Sequence, residues 1–429
     1  MKDLVQLISK SQNYEKITEW TRLISITGIS QLIIQTTGFV SGILVIRLLS
    51  TQEYGYYTLA NTMLGTMILL ADGGISTSVL AQGGKTWLNR EKLGSVLVTG
   101  FDLRRKFAVA SLIIAVPILI YLLRLHHTGW LTTIFITLCI IPAFLASLSS
   151  NLLTVGPILH QNIIPLQKVH IKVSVCRLLM LTLTLFAFPW AYIAILSASI
   201  PQIWGNTRIK KISSLYADWT RKPDPEIRQE IVSVVKRILP GTIYFCLSSQ
   251  ITIWLISFIG TTASVAQIGA LGRLAMILNF FSSIFGALII PRFARLENNK
   301  DLILKRFIQI QIGLMLLFLM IILLISIFPT QILWILGNDY SGLEKELILS
   351  VAGSCISLYA SFLFNISTSR NWIINPLVSI PIKVVTVIFG AMVLNITTLS
   401  GILVFNIFLA SSELLIYFMY SVSKIYKVE

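Results

Sequence analysis

Charged residues are scarce in this sequence. Only 12% of its 429 residues are Asp, Glu, Lys or Arg, whereas 55% are hydrophobic. A soluble domain usually carries about 25% charged residues. A chain this long and this apolar cannot bury its hydrophobic side chains in one water-soluble core, so the composition excludes an ordinary soluble enzyme and indicates an integral membrane protein.

Residues that build metal, redox and nucleotide sites are also few. The four cysteines form no CxxC pair and lie in or beside apolar segments, so we expect buried thiols. The four histidines have no metal-ligand spacing. The sequence contains no phosphate-binding glycine loop, metalloprotease helix motif or nucleophile elbow. These absences predict no metal, no organic cofactor and no direct ATP hydrolysis.

Long uncharged apolar runs recur along the chain. Residues 274–291 and 307–328 contain no Asp, Glu, Lys or Arg, and about 20 apolar residues suffice for a helix to cross a bilayer. We therefore predict an all-α polytopic membrane protein with about twelve transmembrane helices. The predicted spans are 23–49, 56–82, 107–125, 129–156, 168–188, 190–207, 239–260, 262–290, 307–328, 346–369, 372–394 and 398–421.

The basic residues predict the orientation. A net charge of +16 could indicate nucleic-acid binding, but these residues lie in short segments between apolar runs, as in cytoplasmic loops. We therefore predict no nucleic-acid partner and place both termini in the cytoplasm. Residues 1–22 lack a short apolar core, which predicts a cytoplasmic N-terminal segment and no cleavable signal peptide. Aromatic side chains expected at the outer interface are those of Tyr54, Tyr56, Tyr57, Trp130, Trp190 and Trp334.

The longest polar stretch divides the chain into two halves. Residues 208–238 are predicted to form a basic cytoplasmic linker between an N-terminal bundle, 23–207, and a C-terminal bundle, 239–421, with a cytoplasmic tail at 422–429. Glu53–Asn61 and Val265–Arg273 are weakly similar and occupy matching positions in the two halves. Parallel repeats of this kind are typical of transporters, whose substrate site lies between the halves.

Six charged residues are predicted inside the membrane, where a charge costs about 2.5–3.5 kcal/mol on insertion scales. Arg273 lies far from either end of its span, which favours a cavity-facing role over snorkelling. Lys383 and Glu413 fall at similar depth on neighbouring spans, so they form either a structural ion pair or a substrate contact beside an ion-coupling carboxylate. Arg47 and Arg177 could instead snorkel to an interface, and Asp72 could be satisfied within a small-residue turn.

These residues predict a net cationic cavity. Such a cavity suits an anionic ligand, particularly a phosphate, because charge pairing is strong where water is excluded. We expect no catalytic residue. The predicted substrate-binding cations are Arg273, Arg47, Lys383 and Arg177, and the candidates for ion coupling or a structural ion pair are Asp72 and Glu413.

The run from Arg47 to Ala81 resembles the start of bacterial O-antigen and capsule repeat-unit flippases. These belong to the polysaccharide branch of the multidrug/oligosaccharidyl-lipid/polysaccharide exporter superfamily. Residues 268–296 and 328–342 are similar to the eighth span and an outer loop of that family, whereas Gln161 and Asn162 stand where relatives often have Gln-Gly. The family pattern of Arg-x-Leu, acidic-Tyr-Gly and Asp-x-Gly is filled by Arg47, Leu49, Glu53, Tyr54, Gly55, Asp72 and Gly74.

The resemblance implies a transporter, not an enzyme, built from two six-helix bundles around a central cavity. The expected function is flipping of an undecaprenyl-diphosphate-linked oligosaccharide across the bacterial cytoplasmic (inner) membrane by alternating access, for O-antigen, capsule or exopolysaccharide synthesis. It further implies contacts with membrane lipids, coupling to H+ or Na+, and a polysaccharide polymerase and chain-length regulator as partners.

Three other functions fit a polytopic chain. An ion-coupled multidrug antiporter of the same superfamily should favour a carboxylate-rich cavity, whereas basic residues dominate here. A flippase for peptidoglycan precursors usually has two further spans. A polysaccharide polymerase or glycosyltransferase should carry a large outer loop or a carboxylate-rich face, and the longest predicted outer stretch, near 329–345, is short.

Overall fold

The computed structural model describes residues 27–427 except 295, 298, 371 and 373. The predicted cytoplasmic N-terminal segment, 1–22, lies outside the described residues. Across the described ranges the regular elements are all helices and no strand occurs. A helix pairs its own backbone N–H and C=O groups, so it is the expected element for apolar segments in lipid.

Within the described residues, eight helices, α1 to α8, precede the non-helical segment 214–224, and α1 begins at Thr27. The break between α7 and α8 falls at Phe188–Trp190, where the sequence contains Pro189. The bounds are α1 Thr27–Leu48, α2 Thr51–Asp72, α3 Ile75–Thr86, α4 Arg90–Leu125, α5 Trp130–Leu153, α6 Val155–Leu159, α7 Ile163–Ala187 and α8 Ala191–Ser213.

The helices of the second half follow the non-helical segment 214–224. Capping side chains fix several of their first turns: Asn299 accepts hydrogen bonds from the N–H groups of Asp301 and Leu302, at 3.0 and 3.2 Å. The bounds are α9 Pro225–Ser249, α10 Ile251–Ile259, α11 Thr262–Ala275, α12 Asn279–Ala294, α13 Lys300–Ile327, α14 Pro329–Leu336, α15 Glu344–Ser369, α16 Pro376–Val393 and α17 Leu399–Ile425.

The predicted spans coincide with helices. Among the described residues, seven helices are long and apolar enough to cross a membrane, and up to nine spans result when each of two bent pairs counts as one. The bent pairs are α2 with α3 and α9 with α10. Two shorter apolar segments, Thr262–Leu278 and Val378–Val393, and helix α8 fall on the three remaining predicted spans.

The bend between α2 and α3 has a local cause in the sequence. Gly73 and Gly74 have φ values of 47° and 93°, which lie in the left-handed region that glycine adopts without a steric penalty. The two helices therefore meet at an angle of 43°. Asp72 is the last residue of α2, so the bend places it next to the first turn of α3.

The described residues of 1–45, with 63–120 and 129–243, form one compact unit. The segment between α8 and α9 belongs to its core. Ala217 is fully buried, the Asp218 N–H donates to the Arg90 carbonyl at 3.1 Å, and the Asp224 N–H donates to the Thr99 hydroxyl at 2.8 Å. Of the predicted linker 208–238, only 214–224 thus lies outside helices. The buried core consists of Ile75, Val79, Leu93, Val96, Leu97, Leu103, Leu152, Val155, Ala217, Ile231 and Val235.

The second compact unit comprises 46–62, 121–128 and the chain from 244 onward. Helices α15 and α17 pack along each other, and the buried hydroxyls of Ser367 and Ser421 lie 2.6 Å apart. The stacked rings of Phe285 and Phe362, with centroids 4.0 Å apart, join α12 to α15. Both units are defined by packing alone, so the predicted bundle boundaries at 23–207 and 239–421 stay a prediction.

Candidate functional site

A polar cavity of about 300 Å³ lies between α1, α7 and α8 in the first unit. Arg177 lines it near the middle of α7. A cavity of this volume is at the lower limit of small-ligand pockets, which hold a few convergent polar groups in an apolar wall. The lining residues are Gln31, Ile34, Gly38, Ser41, His170, Val173, Ser174, Arg177 and Gln202.

Hydrogen bonds connect the cavity wall to the interior of the first unit. Arg177 Nη2 donates to Gln202 Oε1 at 3.4 Å, and Gln202 Nε2 donates to Asn206 Oδ1 at 3.1 Å. Asn206 is buried and donates to the Ala146 carbonyl of α5 at 2.6 Å. This chain of amides fixes the orientation of Gln202, so Arg177 faces the cavity from a defined position.

Lys383 and Glu413 form an ion pair between α16 and α17. Lys383 Nζ lies 2.6 Å from Glu413 Oε1 and donates to the Tyr417 hydroxyl at 3.1 Å. The ammonium also lies 5.7 Å from the centre of the Tyr244 ring. Of the two alternatives that the sequence left open, this geometry favours the structural pair for the present conformation, because both charges are neutralised locally.

Asp72 contacts Arg104 of α4. Arg104 Nη2 lies 2.7 Å from Asp72 Oδ1, close enough for an ion pair but not aligned for a hydrogen bond. The Ser76 hydroxyl donates to the same carboxylate oxygen at 2.6 Å. Arg104, which the positive-inside pattern places in an inner loop, is only 1% exposed. The small-residue turn at Gly73–Gly74 therefore positions an acid that stabilises a buried guanidinium.

Arg47 binds the end of a short helix. Its Nε donates to the Ile335 carbonyl at 2.9 Å and its Nη2 to the Trp334 carbonyl at 2.5 Å. The guanidinium carbon also lies 5.0 Å from the centre of the Trp334 ring. These carbonyls belong to the last turn of α14, where a cation is stabilised by unpaired C=O groups and the helix dipole. In this conformation Arg47 is a helix cap.

Arg273 contacts two tyrosines at the start of α2. The hydroxyls of Tyr54 and Tyr57 lie within hydrogen-bonding reach of its guanidinium and can accept from it. Their rings stack with centroids 6.0 Å apart and are 1% and 8% exposed. Tyr56 is buried as well, so the prediction that these three tyrosines lie at the membrane interface is wrong. Trp130, Trp190 and Trp334 are exposed, in keeping with their predicted place at that interface.

Apart from the Lys383–Glu413 pair, the six predicted site residues contact different partners. Lys383 and Glu413 lie together as one alternative predicted, and Arg177 lines a cavity. Sequence reasoning missed Arg104 and the tyrosine pair as partners. Their spacing of three residues places Tyr54 and Tyr57 on one helix face, a signal that could have paired them with a buried cation.

Neither the family models nor the curated proteins match this chain, but solved structures do. An inward-facing multidrug resistance MATE family transporter of the MOP superfamily has a TM-score of 0.64 at 15% identity, covering 94% of this chain and 99% of that chain. An outward-facing structure of such a transporter gives 0.55 at 15% identity, covering 95% and 96%. A MATE transporter of Vibrio cholerae gives 0.55 at 16% identity, covering 93% and 96%. This chain has the fold of the MATE transporters.

The MATE fold confirms the prediction of an all-helical, multi-pass membrane protein with two six-helix halves. The MOP superfamily, named for two of these structures, is the one that the sequence resemblance indicated. All three similar structures are named as transporters. None of their names refers to polysaccharide synthesis, and two of them refer to multidrug resistance. Identities near 15% establish the fold alone.

Proposed function

We propose that this protein is a transporter that moves an anionic, lipid-linked oligosaccharide across the membrane by alternating access. The observation that carries the proposal is the charge of the polar cavity in the first unit. Arg177 lines it with amide, hydroxyl and imidazole side chains, and its described lining residues include no carboxylate. A cavity of this composition attracts anions and disfavours cations.

The pairing of the other intramembrane charges also favours an anionic substrate over a cationic one. Both carboxylates predicted inside the membrane are held by cations, Asp72 by Arg104 and Glu413 by Lys383. A cationic substrate would have to displace one of these partners, and breaking a buried pair by removing one member costs about 3–5 kcal/mol.

A diphosphate fits the donors that line the cavity. A guanidinium presents its N–H groups as a planar fork that matches phosphate oxygens. The amides of Gln31 and Gln202 and the hydroxyl of Ser174 can donate further hydrogen bonds to the same group. The apolar lipid chain has no need of a polar site and would remain in the bilayer.

A second candidate is an ion-coupled multidrug antiporter. It is favoured by the similar structures, two of which are named as multidrug resistance transporters, and the comparisons support it better than they support lipid flipping. In this mechanism Glu413 would release Lys383 on taking up a proton or Na+, and the ion pair would then be part of the coupling. The two candidates differ in the charge of the substrate, which makes them separable by experiment.

Transport by purified protein in liposomes separates the candidates. One assay follows flipping of an undecaprenyl-diphosphate-linked oligosaccharide, and a second follows efflux of a cationic dye down a proton or sodium gradient. We expect flipping by the wild type, a loss of about tenfold or more in Arg177→Ala, and partial retention in Arg177→Lys, since charged hydrogen bonds contribute about 1.5–3 kcal/mol.

Arg208→Ala is the matched control for these variants. Arg208 is an exposed arginine at the far end of α8, against the Trp204 ring, and it does not line the cavity. Its removal should change flipping by less than about twofold, as for other surface charges. Dye efflux without flipping in the wild type would overturn the proposal in favour of the antiporter. Equal flipping by Arg177→Ala and wild type would remove the cavity as the anion site.

A further inference from the structure

The outer end of α2 and the start of α11 approach each other through glycines. A β-carbon at Gly55 would lie 2.7 Å from both Cγ2 and the carbonyl oxygen of Thr262. A β-carbon at Gly269 would lie 2.5 Å from Thr58 Oγ1 and 3.1 Å from Thr58 Cβ. Glycines at such a contact let two helix backbones touch with few interlocking side chains. The two segments are those that the sequence predicted to be repeat-related.

Polar groups complete this contact within the second unit. Arg273 at the end of α11 lies within hydrogen-bonding reach of Tyr54 and Tyr57 of α2. The Thr51 hydroxyl donates to Asp339 at 3.0 Å, next to the carbonyls that Arg47 binds. Glycine contacts and exchangeable hydrogen bonds can separate and re-form at smaller cost than an interdigitated apolar core, which loses many contacts at once.

His126 joins the same contact from the turn between α4 and α5. Its side chain is 5% exposed. Nε2 lies 2.9 Å from the Ser257 carbonyl of α10, and Nδ1 lies 3.2 Å from the Thr262 hydroxyl of α11. The Tyr56 hydroxyl of α2 donates to the His126 carbonyl at 3.4 Å. The titratable side chain of His126 thus contacts both α10 and α11.

We propose that these contacts form the closed outer gate of the transporter and that His126 is its latch, which opens when acid on the outer side protonates the imidazole. The gate comprises the start of α2, the α4–α5 turn, the end of α10 and the start of α11. The outer side is the one that the distribution of basic residues predicts. The proposal rests on transport by alternating access and is independent of the substrate.

The hydrogen bonds of the latch suit a neutral imidazole. Because the Ser257 carbonyl can only accept, Nε2 carries the proton and Nδ1 accepts from the Thr262 hydroxyl. The titratable groups around the ring are His127, next in the chain, and the Tyr56 phenol of α2, whereas α10 and α11 present a carbonyl and a hydroxyl. None of these described partners is an anion that would stabilise an imidazolium.

Burial lowers the pKa of His126 below its usual 6.5. The hydrogen bond to the Ser257 carbonyl opposes this effect in part, and the neighbouring His127 adds to it. Protonation is therefore easier when the gate is open and the ring is in water than when the gate is closed. The latch accordingly contributes its full stability above about pH 6.5 and loses it as the pH falls below that value.

A cross-link tests whether the contact is a gate. In a protein whose four cysteines are replaced by alanine, Thr58→Cys with Gly269→Cys brings two β-carbons within a small shift of the usual disulfide separation of about 3.8 Å. The matched control is Ser367→Cys with Ser421→Cys, which joins α15 to α17 in the same unit. Oxidation should abolish transport in the first pair, reversibly on reduction, and leave the control pair active. Unimpaired transport by the oxidised first pair would overturn the gate.

A labelling assay that needs no substrate tests the latch. Thr58→Cys, alone in the cysteine-free protein, is exposed to a membrane-impermeant thiol reagent on the outer side at about pH 5.5 and about pH 7.5. The rate is divided by that of Lys345→Cys, an exposed position on the same side, which removes the effect of pH on thiol reactivity. Since one pKa unit corresponds to tenfold, we expect the ratio to rise about fivefold to tenfold in acid.

The adjacent histidine supplies the control for the latch. His127 is exposed, so His127→Gln should keep the acid response, whereas His126→Gln or His126→Asn should abolish it. An acid response that survives in both His126 variants, or none in the parent, would overturn the latch. Because this readout involves no transport, a failure of the proposed substrate would leave it unaffected, and the reverse also holds.

Discussion

Gly74 lies at a backbone position that few other residues can occupy. Its φ is 93°, and an added β-carbon would lie 3.0 Å from Ile238 Cγ2. We expect Gly74→Ala to lower stability by about 1–3 kcal/mol, because strain and overlap combine. The measurement is thermal unfolding of detergent-solubilised protein, followed by loss of the monodisperse peak.

Gly84→Ala is the control for this substitution. Gly84 lies within α3, and its nearest neighbour for an added β-carbon is 4.0 Å away. Alanine there should be neutral or raise stability by up to about 1 kcal/mol, because alanine is the better helix former. Equal losses in both variants would show that position 74 has no special backbone requirement.

Gln161 carries backbone strain. The flippase family that the sequence resembles often has glycine at the next position, whereas here Gln161 itself adopts a left-handed φ of 55°. We expect Gln161→Gly to raise stability by up to about 1 kcal/mol by removing the left-handed penalty. Asn162→Gly should instead lower it, because Asn162 has an ordinary φ of −84° and donates to the Tyr216 hydroxyl. Thermal unfolding of both variants under identical conditions decides the sign.

At the scale of helices, the Lys383–Glu413 pair distinguishes a structural role from ion coupling. The swapped protein, Lys383→Glu with Glu413→Lys, restores a pair between α16 and α17, whereas each single change leaves one charge without its partner. If the pair is structural, the singles should lose about 1.5–3 kcal/mol, as for a hydrogen bond to a charged group, and the swap should recover most of that loss and of transport. Recovery of thermal stability without recovery of transport would assign Glu413 to coupling instead.

The sequence predicted the depth of charged residues along their helices. It did not predict contacts that depend on how the helices pack. Counting residues from the span ends placed Lys383 and Glu413 at similar depth, and their side chains lie 2.6 Å apart. The partner of Asp72 was missed because it depends on how α4 packs against the bend after α2. The tyrosines of α2 were wrongly placed at the interface because aromatic residues at a span end are equally compatible with burial by another helix.

At the scale of the whole chain, apolar run length predicted where the apolar helical segments lie, but not that several of them are divided into two helices. Bilayer thickness sets the length of a span, so this signal is local and needs no tertiary information. The fold that the comparisons establish follows from the arrangement of the helices, which composition does not encode. The prediction of a cationic site rested on residue type. The structure places Arg177 at a polar cavity, whereas Arg273 contacts the tyrosines of α2.

The predicted orientation of the chain rests on charge alone and is open to a direct test. The segment 214–224 contains Arg221 and Lys222, and the positive-inside pattern places it in the cytoplasm, whereas Lys345 follows the predicted outer stretch. In the cysteine-free protein, we expect an impermeant thiol reagent to label Lys345→Cys in intact cells and Lys222→Cys only after the membrane is opened. Both side chains are exposed, so burial cannot cause the difference. The reverse pattern would invert the orientation and place His126 on the cytoplasmic side, where external acid could not reach it.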